Sequence, residues 1–347
     1  MKKTISLFVL ALSIMVSSCK EEHKNLKDGL YAEIETTKGI ILLRLDYKKA
    51  PVTVANFVTL AEGNNPFVMD DLKGKPFYDG TIFHRVEPGF VIQGGDPYGN
   101  GSGDPGYIFK NEISTLKHDK AGILAMANSG PDTNGCQFYI TLKATPQLDG
   151  GYSIFGRVAE GMDVVNKIEK NDEMIAVTII RKGEDVKKFD AVQVFSDYFK
   201  KQKSAKDQKT NAFNDIKKAA IKLPSGVAYK ITQTSTSESP KQGSKLTVIY
   251  SGFLEDGTLV DTSEPEVAKQ HGIFDERRAM QNGYSRLTYN VGGANQLIPG
   301  MIEGIQQLKA GEKAILFIPS DLAYGEQGAG RVIPPNANMV FEIEILK

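Results

Sequence analysis

Five short apolar runs, TIFHRV, GFVIQGG, GILAMAN, CQFYITL and SIFGRV, fall between residues 81 and 158, bounded by glycine, proline and asparagine. Segments this short, punctuated by turn residues, suit strands and leave little room for helices. Upstream, YAEIETTKGIILLRL alternates and then runs apolar, as paired strands do, while APVTVANFVTLAEG places apolar residues at helical spacing between a proline and a glycine. Many short strands with few helices predict a closed barrel over about residues 30–188. Only two cysteines exist, Cys19 and Cys136. If Cys19 is consumed by modification, no intramolecular disulfide is available and the fold must rest on packed cores.

The texture changes at residue 189. FDAVQVFSDYFKKQKSAKDQKTNAFNDIKKAAIKL lacks glycine and proline. Val192, Phe195 and Phe199 form one apolar stripe, and Phe213, Ile216 and Ala220 another, with a lysine-rich gap between them. This predicts a helical linker over 189–222, about 50 Å long at 1.5 Å per residue, docked at both ends and solvated in the middle. No heptad crosses the gap, so a coiled-coil dimer is disfavoured and a monomer expected. From residue 223 a second β-rich unit begins: KLTVIYSGFL and MVFEIEIL alternate, and QLIPGMIEGIQQL is amphipathic. The two β units do not repeat one another, so the chain reads as a fusion of two domains, in keeping with its 347 residues.

The first nineteen residues, MKKTISLFVLALSIMVSSC, carry two lysines, an apolar stretch too short for a bilayer, and small residues before Cys19. Val16-Ser17-Ser18-Cys19 resembles the lipobox of bacterial lipoproteins. Residues 1–18 are therefore expected to be a signal peptide, Cys19 the lipidation site and residues 19–29 a tether. That implies a bacterial envelope protein held to a membrane by lipid alone, with its domains outside the cytoplasm. Lysine plus arginine equals aspartate plus glutamate at 42 each, so no nucleic-acid field is expected.

Several chemistries lack candidates. GSGDPG fits a G-x-G-x-x-G template, but Pro105 and the strand-like sequel make it a surface loop rather than a dinucleotide site. His84 and His118 have no ligand-spaced partner, so no metal is expected. No serine sits in a nucleophile elbow, and Cys136 reads as a small buried hydrophobe. Arg85 is the outlier, a permanent cation in FHRVEPGFVIQGG with Glu87 two residues on, on the same face of a strand.

FHRVEPGFVIQGGD, GILAMANSGPDTNGCQFYIT and LDGGYSIFGRV, in that order and spacing, resemble the cyclophilin family of peptidyl-prolyl isomerases. The resemblance implies an eight-stranded barrel capped by helices, with the site on its outer face. It implies that Arg85 is catalytic, that Phe90, Met126, Tyr139 and Leu148 line a proline pocket, and that Gln93, Gln137 and the backbone of Asn128 hold the chain on either side. Tyr152 stands where many members have histidine, Tyr139 where phenylalanine is usual, and Gln147 where a tryptophan favours cyclosporin, so tight drug binding is not expected. Because Gln93 and Phe90 would share one site, a bulge or strong twist is expected between them.

VIYSGFLEDGTLVDTS, VGGANQLIPGMIEGIQQLKAGEKAILFIPSDLAYG and VIPPNANMVFEIEIL resemble the FK506-binding proteins, also peptidyl-prolyl isomerases. That implies an α+β fold, a bent antiparallel sheet wrapped on one helix over Ile298 to Leu308. A second pocket would be formed by Tyr250, Asp261, Leu297, Ile298, Tyr324, Ile333 and Phe341. Val260 and Leu287 replace aromatic walls, Met301 a tryptophan floor and Ala329 a frequent histidine, so a weaker or differently selective site is expected. EPEVAKQHGIFDERRAMQNGYSR is longer than in minimal members.

Rotating an X-Pro bond breaks no covalent bond, so neither cofactor nor nucleophile is needed. The barrier of ~18–20 kcal/mol is lost amide resonance; an apolar slot and donors aimed at the twisted state lower it. The expected function is isomerisation of X-Pro bonds in exported polypeptides. The rival is a holdase or surface adaptor that grips unfolded chains with little turnover in the second domain.

Overall fold

A computed structural model describes residues 26–330 and 332–346. The expected signal peptide and Cys19 lie outside the described residues. No helix among those described is long and apolar enough to cross a membrane.

The N-terminal domain opens with a hairpin, β1 (Gly29–Thr36) and β2 (Gly39–Leu45), paired from Leu30↔Leu45 to Thr36↔Gly39. Helix α1 (Pro51–Ala61) follows, with proline in its first turn and every residue from Thr53 to Ala61 buried. Its N-cap, Ala50, has no polar side chain to accept a capping hydrogen bond. Glu112 supplies the cap from a distance, accepting from Val52 N, Thr53 N and Thr53 Oγ1 at 3.1, 2.6 and 2.7 Å.

Next come β3 (Thr81–Ile82), β4 (Arg85–Glu87), β5 (Val91–Gly94), β6 (Ile123–Met126), β7 (Phe138–Thr141), β8 (Ile154–Glu160), the one-turn helix α2 (Met162–Val165), β9 (Glu173–Lys182) and the short α3 (Glu184–Lys187). The strands form one antiparallel sheet in the order β3-β9-β1-β2-β8-β6-β7-β5-β4. It curls until an isolated bridge, Ile82↔Asp96, brings its ends together. Nine strands appear where eight were expected because the TIFHRVE segment breaks at Phe83-His84. Its first half pairs with β9 and its second with β5. Inside the curl, Phe57 of α1 packs on Tyr78, Phe138 and Phe155 with centroids 4.9, 5.5 and 5.4 Å away.

One continuous helix, α4 (Ala191–Lys218), leads to the second domain, with Asp190 capping it by accepting from Gln193 N at 2.9 Å. Its first apolar stripe docks on the N-terminal core, where buried Phe195 meets Tyr107 and Phe109 at 5.4 and 5.8 Å. Its second stripe docks through buried Phe213 against Phe253 at 5.4 Å. Lys206, Lys209 and Lys217 add ion pairs to Asp256, Glu342 and Glu255.

The C-terminal domain comprises β10 (Ile221–Lys222), β11 (Ala228–Gln233), β12 (Lys245–Leu254), β13 (Leu259–Thr262), helices α5 (Pro265–His271) and α6 (Glu276–Met280), β14 (Leu287–Asn290), α7 (Pro299–Ile305), β15 (Lys313–Ile318) and β16 (Met339–Ile345). Its sheet runs β10-β11-β15-β16-β12-β13, with β14 also on β12, all antiparallel. Helix α7, shorter than expected, packs on this sheet so closely that a Cβ at Gly300 or Gly304 would overlap Ile318 or Leu316.

Candidate functional site

Strand pairing builds the first site. Arg85 opposes Gln93, Gln93 opposes Tyr139, Tyr139 opposes Ala125, and Ala125 opposes Ile154. Opposed residues share a sheet face, so β4, β5, β7, β6 and β8 carry one row across the outer face of the barrel. Val91, Ile123, Ala125, Tyr139 and Ile154 form a buried apolar patch there, bordered by Phe90, Ala127, Leu148 and Tyr152. The Tyr139 and Tyr152 rings meet edge-on at 5.7 Å.

This geometry corrects two expectations. Met126 does not line the outer patch. It follows Ala125 on β6, so alternation turns it inward; it is fully buried in the barrel core. Val91 is the residue that was missed, although its spacing from Gln93 already places both on one face. No bulge separates Phe90 from Gln93: the β4–β5 and β5–β7 registers are regular. Phe90 sits in the turn before β5, its N–H donating to Glu87 O at 3.0 Å, so strand alternation does not apply to it.

Arg85 lies on the edge strand with its side chain partly open to solvent, so it is not a buried charge. Nε and Nη2 donate to Glu87 Oε1 at 3.0 and 2.6 Å, and Nη1 donates to Gln93 Oε1 at 2.9 Å. The relay continues from Gln93 Nε2 to Gln137 Oε1 at 3.0 Å, and from Gln137 Nε2 to the carbonyls of Gly101 and Gly103 at 3.1 and 3.0 Å. The amide orientations are thereby fixed from Arg85 to the glycine loop.

That loop is built on buried Asp96, which accepts from the N–H groups of Tyr98, Asn100 and Gly101. Burial pushes the Asp96 carboxyl up, but the loop amides outweigh it and hold the group below the usual range. A Cβ at Gly103 would overlap Asp96, which is why the loop is glycine-rich. A cleft of about 580 Å³ runs between this loop, Gln93, Gln137 and Asn128. Asn128 follows β6 outside its pairing, and its Nδ2 donates to Gly151 O at 3.0 Å.

Behind the patch, Tyr139 Oη lies 2.9 Å from His118 Nε2, and His118 Nδ1 lies 2.9 Å from Asp149 Oδ1. His118 is fully buried, and burial lowers its pKa against the pull of Asp149. The ring is therefore neutral near pH 7, with Nδ1–H donating to the carboxylate and Nε2 accepting from the tyrosine.

In the C-terminal domain, Tyr250, Val260, Leu287, Leu297, Ile298, Met301, Tyr324, Ile333 and Phe341 all belong to or pack on one core. Met301, Ile333 and Phe341 are buried within it. Ile298 is the N-cap of α7, its carbonyl accepting from Met301 N and Ile302 N. Tyr250 Oη donates to Asp261 Oδ2 at 2.6 Å; burial and this bond push its phenol up. Arg278 of α6 was missed: its Nη1 donates to Asp261 Oδ1 at 2.7 Å and its Nη2 to Thr262 O at 3.3 Å. The lone carboxylate among apolar neighbours was the available signal that a cation belonged nearby.

Comparison with known proteins follows this division. The family model for cyclophilin type peptidyl-prolyl cis-trans isomerase matches residues 31–189, and that for FKBP-type peptidyl-prolyl cis-trans isomerase matches residues 236–346. Peptidyl-prolyl cis-trans isomerase A of Mycobacterium tuberculosis is 50% identical over 145 residues, 40% of this chain and 80% of that protein. Peptidyl-prolyl cis-trans isomerase B of Streptomyces anulatus is 48% identical over 147 residues, 41% of this chain and 84% of that protein.

Proposed function

Because the chain belongs to the cyclophilin-type peptidyl-prolyl cis-trans isomerases and carries an FKBP-type isomerase domain behind the first, we propose that it acts on X-Pro bonds in unfolded exported proteins from a lipid-anchored position on the bacterial envelope. It is a peptidyl-prolyl cis-trans isomerase with proline-containing polypeptides as substrates. The lipobox-like segment at Cys19 supports the anchored location.

The observation that carries the site assignment is the cross-strand row joining Arg85 to Tyr139. The apolar patch around Tyr139, Leu148 and Tyr152 takes the proline ring, excluding water from one side of the amide. Three of the five guanidinium N–H groups of Arg85 are engaged by Glu87 and Gln93, leaving two for the substrate. As the amide twists, its nitrogen regains a lone pair, and a fixed cation beside it stabilises that state more than either planar isomer. Gln93, Gln137 and the Asn128 backbone hold the flanking chain. No proton moves and no bond breaks.

Refolding of a protein whose slow phase is X-Pro isomerisation tests the activity. The full chain should accelerate that phase and Arg85→Ala should remove most of the acceleration. Cell fractionation tests the location: the wild type should pellet with membranes and Cys19→Ala should not. An Arg85→Ala chain that accelerates refolding like the wild type, or a Cys19→Ala chain that stays in the pellet, would contradict the respective reading.

A further inference from the structure

A second cleft, of about 530 Å³, opens beside Tyr152 and Leu148 of the N-terminal site, and its opposite wall belongs to the other domain. That wall is the α5–α6 segment, through Lys269, Gln270 and Phe274. The contact between the two sides is specific. Lys110 Nζ donates to His271 O at 2.8 Å. Gly272 ends α5 with φ +71° and lies flat against Asp132, whose carboxylate any Cβ there would overlap. The wall is braced from behind as well: Arg278 ties α6 to Asp261, and Phe274 stacks on Tyr284 at 5.4 Å, 6° from parallel. Helix α4, docked on both cores, holds the domains on a single shaft.

The charged groups lining this cleft have protein partners. Lys110 is taken by the His271 carbonyl, Lys269 by Glu266 at 2.7 Å, and Asp132 by Asn111 N at 2.7 Å. Asp275 accepts from Arg278 N at 3.0 Å. Half-exposed Ile113 and the ring of Phe274 supply apolar surface, and the side-chain amides of Gln147 and Gln270 supply donors and acceptors. Glycines 130, 150 and 151 allow close backbone approach. Such a lining matches an extended, uncharged polypeptide, and it is continuous with the patch assigned to the proline.

We infer that the α5–α6 segment of the C-terminal domain forms the outer wall of the N-terminal active site, so that both domains hold the uncharged, extended chain flanking one isomerised proline. This rests on the site assignment above. On this reading a tetrapeptide should fill the proline patch without touching the wall, whereas a longer chain should touch both.

The protein contains no tryptophan, so exposed Gln270 replaced as Gln270→Trp gives a single reporter on the wall. In the full chain, an uncharged twelve-residue peptide with a central X-Pro should shift its emission to the blue, and a tetrapeptide with the same X-Pro should not. The Arg85-dependent kcat/KM, taken as the difference from the matched Arg85→Ala chain, should be about tenfold higher for the long peptide. Gly272→Val, which wedges the contact open, and Phe274→Ala should remove that advantage and leave the tetrapeptide rate unchanged. Unchanged Gln270→Trp emission at peptide concentrations that saturate turnover would overturn the inference, as would an equal response to both peptides or an equal rate loss on both. If Arg85→Ala alters no rate, the site assignment fails instead, and the tryptophan emission still decides whether the wall touches substrate.

Discussion

Tyr139 donates its hydroxyl to His118 Nε2 at 2.9 Å, so the apolar patch is pinned from behind by an imidazole that Asp149 holds in turn. Removing the hydroxyl leaves a buried acceptor without its donor. Tyr139→Phe should lower stability by about 1–3 kcal/mol while keeping the ring wall, so KM for a short X-Pro peptide should change little. Urea unfolding followed in parallel with peptide kinetics checks this; unchanged stability would mean that the bond contributes nothing.

Acidification should weaken both domains. The His118 pKa is lowered by burial, and His84 and His271 are shifted the same way by the same cause. Folded, each binds fewer protons below about pH 6.5 than the unfolded chain does. Stability should therefore fall as pH drops through 6.5, well above the range where Asp149, held below its usual value first by the His118 N–H, begins to protonate. Urea midpoints at pH 7.5 and 5.5 should differ, and His118→Gln should narrow the difference.

Glu112 caps α1 from 59 residues away, accepting from Thr53 N. Glu112→Ala leaves two helix N–H groups and a buried hydroxyl without that partner and should cost about 1–3 kcal/mol. The loss should appear in the N-terminal domain's unfolding transition, with the C-terminal one unmoved.

In the C-terminal domain, α7 can approach β15 because Gly300 and Gly304 present no side chain there. Gly304→Ala gains helix propensity but overpacks Leu316, for a net destabilisation of about 1–2 kcal/mol. A stabilised variant in thermal unfolding would show that the helix can lift away freely.

The two β-rich units and the linking helix were legible from local signals: strand alternation, turn residues, and two apolar stripes separated by a lysine-rich gap. The residues expected in the first site came instead from the resemblance of three sequence blocks to the cyclophilins. Met126 was misplaced where alternation alone was decisive, since its neighbour Ala125 takes the outward position and Val91 shares a face with Gln93. The bulge expected between Phe90 and Gln93 is absent because Phe90 sits in a turn and does not follow strand periodicity. Asp261 signalled that a cation belonged nearby, but neither Arg278 as that cation nor the wall residues Gln270 and Phe274 could be singled out. Their roles arise from contacts with Asp261 and with the Asp132 region, and such long-range proximity leaves no periodic trace.

The central claim is that Arg85, held by Glu87 and Gln93 beside the Tyr139 patch, stabilises the twisted amide. Its most direct test is kcat/KM on an X-Pro peptide for Arg85→Ala and Arg85→Lys, each in full chains carrying Asp261→Ala so that the second pocket contributes little. Arg85→Ala should lose about 10²-fold, and Arg85→Lys should recover only part of it, because a point charge lacks the planar fork. A folded Arg85→Ala, Asp261→Ala chain that turns over at the wild-type rate would contradict the account.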